Sequence, residues 1–171
     1  VQRQVEVGRR VLAWLEGGNR HLLTLGDADY PCALLETADP PTILYALGDT
    51  ARLNAPYIAI AGSRNATRQG LADSQAFASS FSSAGVCVVS GLALGIDAAA
   101  HRGGLSARAS SVAVVGTGLD RVYPAANRDL AHDLAVRGAV ISEFCLGTPP
   151  AAANFPKRNR LIAGLARGVL V

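Results

Sequence analysis

The sequence predicts an α/β protein built on a doubly wound, mostly parallel sheet, and three observations carry that expectation. From Tyr57 onward, short apolar runs alternate with helix-length segments, as βαβ units require. Runs such as "VCVVSG" and "SSVAVVGTG" are apolar almost throughout, the pattern of strands covered on both faces. The composition agrees: 50% of residues are hydrophobic, 17% are charged and 18 are glycine, a balance suited to a strongly buried fold.

Each element can be justified in chain order. Val1, Val5, Leu12 and Leu15 recur near helical spacing and predict an amphipathic helix over residues 1 to 16, ended by "EGGNR". From His21 to Asp49, short apolar pieces are separated by the turn signals "GDADYP", "TADPP" and "LGDT". That stretch reads as an irregular, Pro-rich lead-in with at most two short strands, "HLLTL" and "TILYA". "YIAIAG" is the first regular strand, and "GLADSQAFASSFSSAG" (70 to 85) the helix after it, with Gly85 as C-cap. "VCVVSG" is the second strand, followed by the short helix "LGIDAAAHRGGL". "SSVAVVGTG" is the third strand and "NRDLAHDLAVRG" a helix closed by Gly138. "AVISEF" is the fourth strand, "KRNRLIAGLARG" a helix, and "VLV" the opening of a fifth strand. The expected organisation is an N-terminal helix within residues 1 to 20, the remnant of a preceding helical domain or linker, then one α/β domain over residues 21 to 171. That domain is expected to be incomplete at its C-terminal end, since the chain stops inside a strand.

Several function classes lose support. Cys32, Cys87 and Cys145 are odd in number and far apart with no CxxC, which argues against a disulfide framework or zinc knuckle and for a reducing cytoplasm. "VQRQVEVGRR" has no apolar core of a signal peptide, and the run "VCVVSGLALGIDAAA" is broken by Ser90, two glycines and Asp97, so no membrane span is expected. A dinucleotide fingerprint is missing, because "GTGLDR" carries Arg121 where the third glycine belongs. "AGSRNA" does not fit either, and no GKS/T loop exists. No cofactor and no metal are expected. The net charge of +3 permits a polyanionic partner without demanding one.

Ligands of open parallel sheets bind at the carboxyl ends of the strands. Four loops fall there: "AGSRNAT", "SGLALGID", "GTGLDRVYP" and "SEFCLG". In the first, Gly62 lets backbone approach a ligand, Ser63 offers a hydroxyl and an N–H, and Arg64 offers a bidentate phosphate fork. The alternative is an ordinary strand–helix turn with a solvated arginine. "SGLALGID" either cradles phosphate or allows close helix–sheet packing. Asp97 and His101, at i, i+4, invite a catalytic or metal reading. With no third ligand in the sequence, a His–carboxylate pair fixing the helix to its neighbours is favoured. Glu143 is an isolated acid, either catalytic or a counter-ion to Arg64 or Arg160.

The segment "NFPKRNRLIAG" places Lys157, Arg158 and Arg160 at an expected helix start, where the helix dipole repels cations. A bound phosphate would turn the cations and the free N–H groups into one attractive site. Pro156 suits the first turn, and Phe155 can stack on a base or fill the core. Lys157 carries most weight here; a solvent-facing Arg158 stays open.

Together "AGSRNAT", "VSGLALGIDAAAHRGGL", "VAVVGTGLDRVYPAANRDLA", "GAVISEFCLGTPP" and "NFPKRNRLIAGL" resemble the DNA-processing protein A (DprA, or Smf) family of bacteria, over roughly residues 21 to 171. The resemblance implies an extended Rossmann-like fold without enzymatic activity. It implies a protein that binds single-stranded DNA without sequence preference, protects incoming strands in natural transformation and helps load the RecA recombinase. It puts Gly62, Ser63 and Arg64 on phosphate, with Phe155, Lys157, Arg158, Asn159 and Arg160 in the same pocket. It further implies a homodimer and a RecA contact, through segments placed beyond Val171. The alternative is a nucleotide-hydrolysing enzyme similar to the lysine-decarboxylase-like phosphoribohydrolases. Their PGGxGTxxE signature is here reduced to "GTGLDR", without the glutamate.

Overall fold

In the computed structural model, which describes residues 2–171 and their side chains from Val5 onward, the elements follow one another as βαβ units preceded by a short antiparallel pair. They are α1 (Gln2–Leu15), β1 (Arg20–Thr24), α2 (Cys32–Leu35), β2 (Ile43–Gly48), β3 (Tyr57–Ile60), α3 (Arg68–Ser83), β4 (Cys87–Ser90), α4 (Ile96–Leu105), β5 (Ser111–Val114), α5 (Arg128–Arg137), β6 (Ala139–Ser142), α6 (Asn154–Leu165) and β7 (Ala166–Leu170). One seven-stranded sheet has the order β1-β2-β6-β5-β4-β3-β7. Strands β3 to β7 pair parallel with one another, whereas β1 pairs antiparallel with β2 and β2 antiparallel with β6.

The fully apolar strand pattern has the expected cause, because both faces of the sheet are covered. Along β5, Val112 and Val114 join Leu161, Ile162 and Leu165 of α6 in one core cluster. Ala113 and Val115 join Leu130, Ala131 and Leu134 of α5 in another. A third cluster packs Ile60 and Val88 against Ala78 of α3 and Ala100 of α4. Small residues let α3 and α4 approach closely, since a Cβ on Gly103 would overlap the Gln75 carbonyl and Ala78. Thr67 caps α3 by accepting the Gly70 N–H at 3.1 Å, and Gly85 follows the helix at φ +90°.

Two expectations need correction. The lead-in is not an irregular preface: its strands β1 and β2 extend the main sheet, and β2 covers the flank of β6 that would otherwise be an open edge. The last helix spans Asn154–Leu165, beginning before Lys157, while β7 already starts at Ala166. The N-terminal helix is present as α1, the expectation for Val1 lying outside the described residues. Trp14 of α1 packs edge-on against Tyr45 of β2, with ring centroids 6.0 Å apart, and Leu146 completes the cluster.

Candidate nucleic-acid interface

The carboxyl ends of β3 to β6 open on one edge of the sheet, and their loops are tied together by backbone contacts. Ile96 donates its N–H to the Ser63 carbonyl at 3.1 Å. Gly95, at φ +77°, lies so close to Ser63 and Arg64 that a Cβ would overlap their backbone. Gly62 lies against Ile96, which a Cβ would meet at 2.8 Å. The β3 and β4 loops are therefore packed together as one unit. Arg64 projects from that unit, exposed to solvent, with its guanidinium 5.4 Å from the centre of the Phe155 ring. This is cation–π distance.

Helix α6 supplies the other half. Asn154 anchors its start, donating from Nδ2 to the carbonyls of Gly116 at 2.9 Å and Pro149 at 3.3 Å. The helix begins before the basic cluster, so Lys157, Arg158 and Arg160 sit at its first turn and just beyond, where the dipole effect is already fading.

Two of the three cations also have internal partners. Arg158 does not face solvent: it is 5% exposed and donates to the carbonyls of Gly91 and Val114. Burial lowers its pKa, the neighbouring Asp97 carboxylate raises it, and Arg64 lowers it again. Arg160 is turned away from this pocket, donating to Glu143 and to the Asp39 carbonyl and lying 3.6 Å from the Asp39 carboxylate. Glu143 is thus the counter-ion of Arg160. Burial raises its pKa, which Arg160 opposes. Lys157 is exposed and, among the described residues, forms no ion pair. Asn159 is exposed and accepts from Arg158 Nε at 3.1 Å.

The expected Asp97–His101 pair does not form. Helix α4 is buried almost all round, so the two side chains, though one turn apart, meet different neighbours. Asp97 accepts the N–H groups of Gly91 at 3.2 Å and Ala93 at 3.3 Å. Its pKa is raised by burial against the lowering effect of those bonds and of Arg158. His101 Nδ1 is 2.7 Å from Ser111 Oγ, which donates to the Val88 carbonyl, so the ring donates from Nδ1. Its Nε2 is buried without a partner, and burial pushes its pKa down to about 3.

Two residues that sequence reasoning missed complete the edge. Asn127 is buried and donates to the carbonyls of Leu92 and Ala93 at 2.9 and 3.1 Å. With Asp97 it holds the β4 loop, in which Leu92 adopts a positive φ of 60°. Tyr123 lies against Phe155 with centroids 6.0 Å apart and planes tilted by 31°. Arg64, Phe155, Arg158 and Tyr123 thus line one small pocket of about 60 Å³. Gly62 and Ser63 instead line a larger neighbouring cavity of about 500 Å³, with Asp73 among its lining residues. Among the described residues, no helix is long and apolar enough to cross a membrane.

The fold and this edge define a Rossmann-like α/β module with a cation-bearing pocket at the carboxyl ends of its parallel strands. The chain belongs to the DNA recombination-mediator protein A family, which matches it over residues 21–171. Protein Smf of Escherichia coli (strain K12) is 42% identical over 161 residues, covering 94% of this chain and 43% of that protein. The X-ray structure of DprA from Streptococcus pneumoniae superposes with a TM-score of 0.82 at 38% identity, over 89% of this chain and 53% of that one. A structure of DNA processing protein A from Helicobacter pylori superposes at 0.79 with 31% identity, over 87% of this chain and 67% of that one. It is described as giving insight into that protein's unique single-stranded DNA binding mode. The chain spans only about two fifths of its Escherichia coli relative.

Proposed function

We propose that this domain binds single-stranded DNA without sequence preference, holding the phosphate backbone between Arg64 on the β3 loop and Lys157 at the start of α6. The observation that carries the reading is the contact between Arg64 and Phe155, which joins the β3 loop to α6 from opposite ends of the sheet-forming segment. Gly62 and Ser63 shape the loop and offer backbone N–H groups, and Asn159 is exposed beside Lys157 for further phosphate contacts. Arg158 and Arg160 serve mainly by fixing α6. Asp97, His101 and Glu143, the acid–base candidates, are each engaged with structural partners, which favours binding over bond-making. For the protein as a whole we propose a cytoplasmic role in transformation and recombination, in which a homodimer protects incoming strands and helps load RecA; this rests on family resemblance.

Salt dependence tests the site. On single strands, log affinity against log salt should have a slope of about −0.7 per phosphate neutralised. Arg64→Ala and Lys157→Ala should each weaken binding and flatten the slope by about that amount. Unchanged affinity and slope in both variants would overturn the assignment, and equal affinity for duplex would remove strand selectivity.

A further inference from the structure

We infer that Asp120 and Arg10 are positioning residues of the nucleic-acid edge, through which helix α1 sets the grip on a strand; this rests on the single-strand reading above. Neither residue lines the pocket that Arg64 and Phe155 share. Asp120 belongs to "GTGLDR", which carries no dinucleotide fingerprint, yet both of its carboxylate oxygens are engaged. Oδ1 accepts the Gly147 N–H of the β6 loop at 2.7 Å, and Oδ2 accepts the Arg10 guanidinium of α1. Around this point the β5 and β6 loops interlock. Gly118 donates its N–H to the Thr148 carbonyl at 3.1 Å. A Cβ on Gly118 would overlap Asp120 Oδ1 and the Cys145 carbonyl, and one on Gly147, at φ +87°, would overlap Arg10. Beneath these polar contacts, Leu119 and Leu146 of the same two loops join Trp14 and Val11 of α1 in one apolar cluster. Helix α1, which precedes the family-matched residues 21–171, thus braces two of the four loops at the edge.

The same two loops hold the start of α6. Asn154 donates to the Gly116 carbonyl at the head of the β5 loop and to the Pro149 carbonyl in the β6 loop. Phe155 follows it directly, and Lys157 lies two residues further on. From Arg10 to the start of α6, each step is a hydrogen bond or a packed contact. A loose edge would have to be ordered when a strand binds, and that cost is subtracted from affinity. Charge alone makes the opposite demand on Asp120, because a carboxylate near a polyanion site repels phosphate. Its bonds to two separate elements point to placement instead.

Titration with oligothymidylate, paired with urea unfolding, tests the assignment. Asp120→Ala and Arg10→Ala should each weaken binding by about two- to thirtyfold, the range for residues that act without touching a ligand. Both should keep the wild-type salt slope, because no phosphate contact is lost. Arg10→Ala should unfold near the wild-type midpoint, since an exposed ion pair adds little stability, and Arg10→Lys should restore affinity. Asp120→Asn, which still accepts the Gly147 N–H, should fall between wild type and Asp120→Ala, and gives the sign of the effect if the alanine variant unfolds. The double variant Arg10→Ala/Asp120→Ala should be no weaker than the weaker single one, as both act through one contact. A pure field effect predicts otherwise: removing the Asp120 charge would tighten binding, and the double variant would return to wild type. Either result, or unchanged affinity in Arg10→Ala, would overturn the assignment while leaving the phosphate site intact. A slope flattened by about 0.7 in Arg10→Ala would make Arg10 a phosphate ligand and also overturn it. Failure of the wild type to bind oligothymidylate would bring down the single-strand reading itself.

Discussion

Arg158→Ala separates a structural cation from a ligand contact, and the size of its effect can be worked from its surroundings. The side chain is 5% exposed, donates to two buried carbonyls and faces the Asp97 carboxylate. Truncation leaves the Gly91 and Val114 carbonyls without this donor, at about 1–3 kcal/mol each if they stay dry. It also removes the electrostatic influence of the guanidinium on Asp97, which forms no ion pair with Arg158 and is held by the Gly91 and Ala93 N–H groups. These effects overlap, because Asp97 can take up a proton and water can enter the gap, so a total loss of about 3–5 kcal/mol is expected. In a domain of this size, each kcal/mol lowers Tm by about 2–4 °C, which predicts a drop of about 6–20 °C. Urea unfolding should show a lower midpoint at constant slope. Arg158→Lys should fall between, since an ammonium cannot reproduce the guanidinium fork. If the midpoint is unchanged while affinity for oligothymidylate falls tenfold, Arg158 is a ligand contact and this reasoning is wrong.

Other outcomes follow from neighbouring residues. His101 has a folded pKa of about 3 against an ordinary 6.5, so its contribution is complete above pH 6.5 and is lost as pH falls toward 3, by about 1.4 kcal/mol per pH unit. Asp97, with its pKa raised, acts in the opposite sense at acid pH. The difference between wild type and His101→Gln isolates the histidine, and parallel urea midpoints from pH 7 to 5 would refute the assignment. Gly95→Ala should lose about 1–3 kcal/mol and bind oligothymidylate more weakly, because its Cβ would push Ser63 and Arg64 aside; chemical unfolding and titration check both. Arg160→Ala should cost about 1–2 kcal/mol through its ties to Glu143 and Asp39. Its salt slope on single strands should match wild type, and a slope flattened by about 0.7 would return Arg160 to the phosphate site.

The central sheet was legible because strands buried on both faces leave unbroken apolar runs, as in "SSVAVVG". Strands β1 and β2 were harder to read, since β1 pairs only with β2, the pairing of β2 with β6 is long-range, and only short apolar pieces stand among prolines. Within α6, the sequence did hold a signal about Arg158. Buried positions 158, 161, 162 and 165 form one helical stripe, so an arginine at the head of that stripe points inward. The spacing of Asp97 and His101 misled because one helical turn brings side chains together only where nothing else competes, and α4 is enclosed by bonding partners. The Glu143–Arg160 pair fits one of the two readings its isolation allowed. Tyr123 had no local signal at all: "DRVYP" reads as a turn, and only the packing of the β5 loop against α6 brings its ring to Phe155.

The contact between Arg64 and Phe155 also has a temporal meaning. During synthesis, the loop carrying Arg64 leaves the ribosome long before the helix carrying Phe155 and Lys157. A nascent chain that has emerged through β6 holds one cation of the site and lacks its counterpart. Capacity to grip a nucleic-acid strand should therefore arise late and abruptly, when α6 docks across β3, β4 and β5. Unfinished chains would have little means of being trapped on messenger RNA beside them.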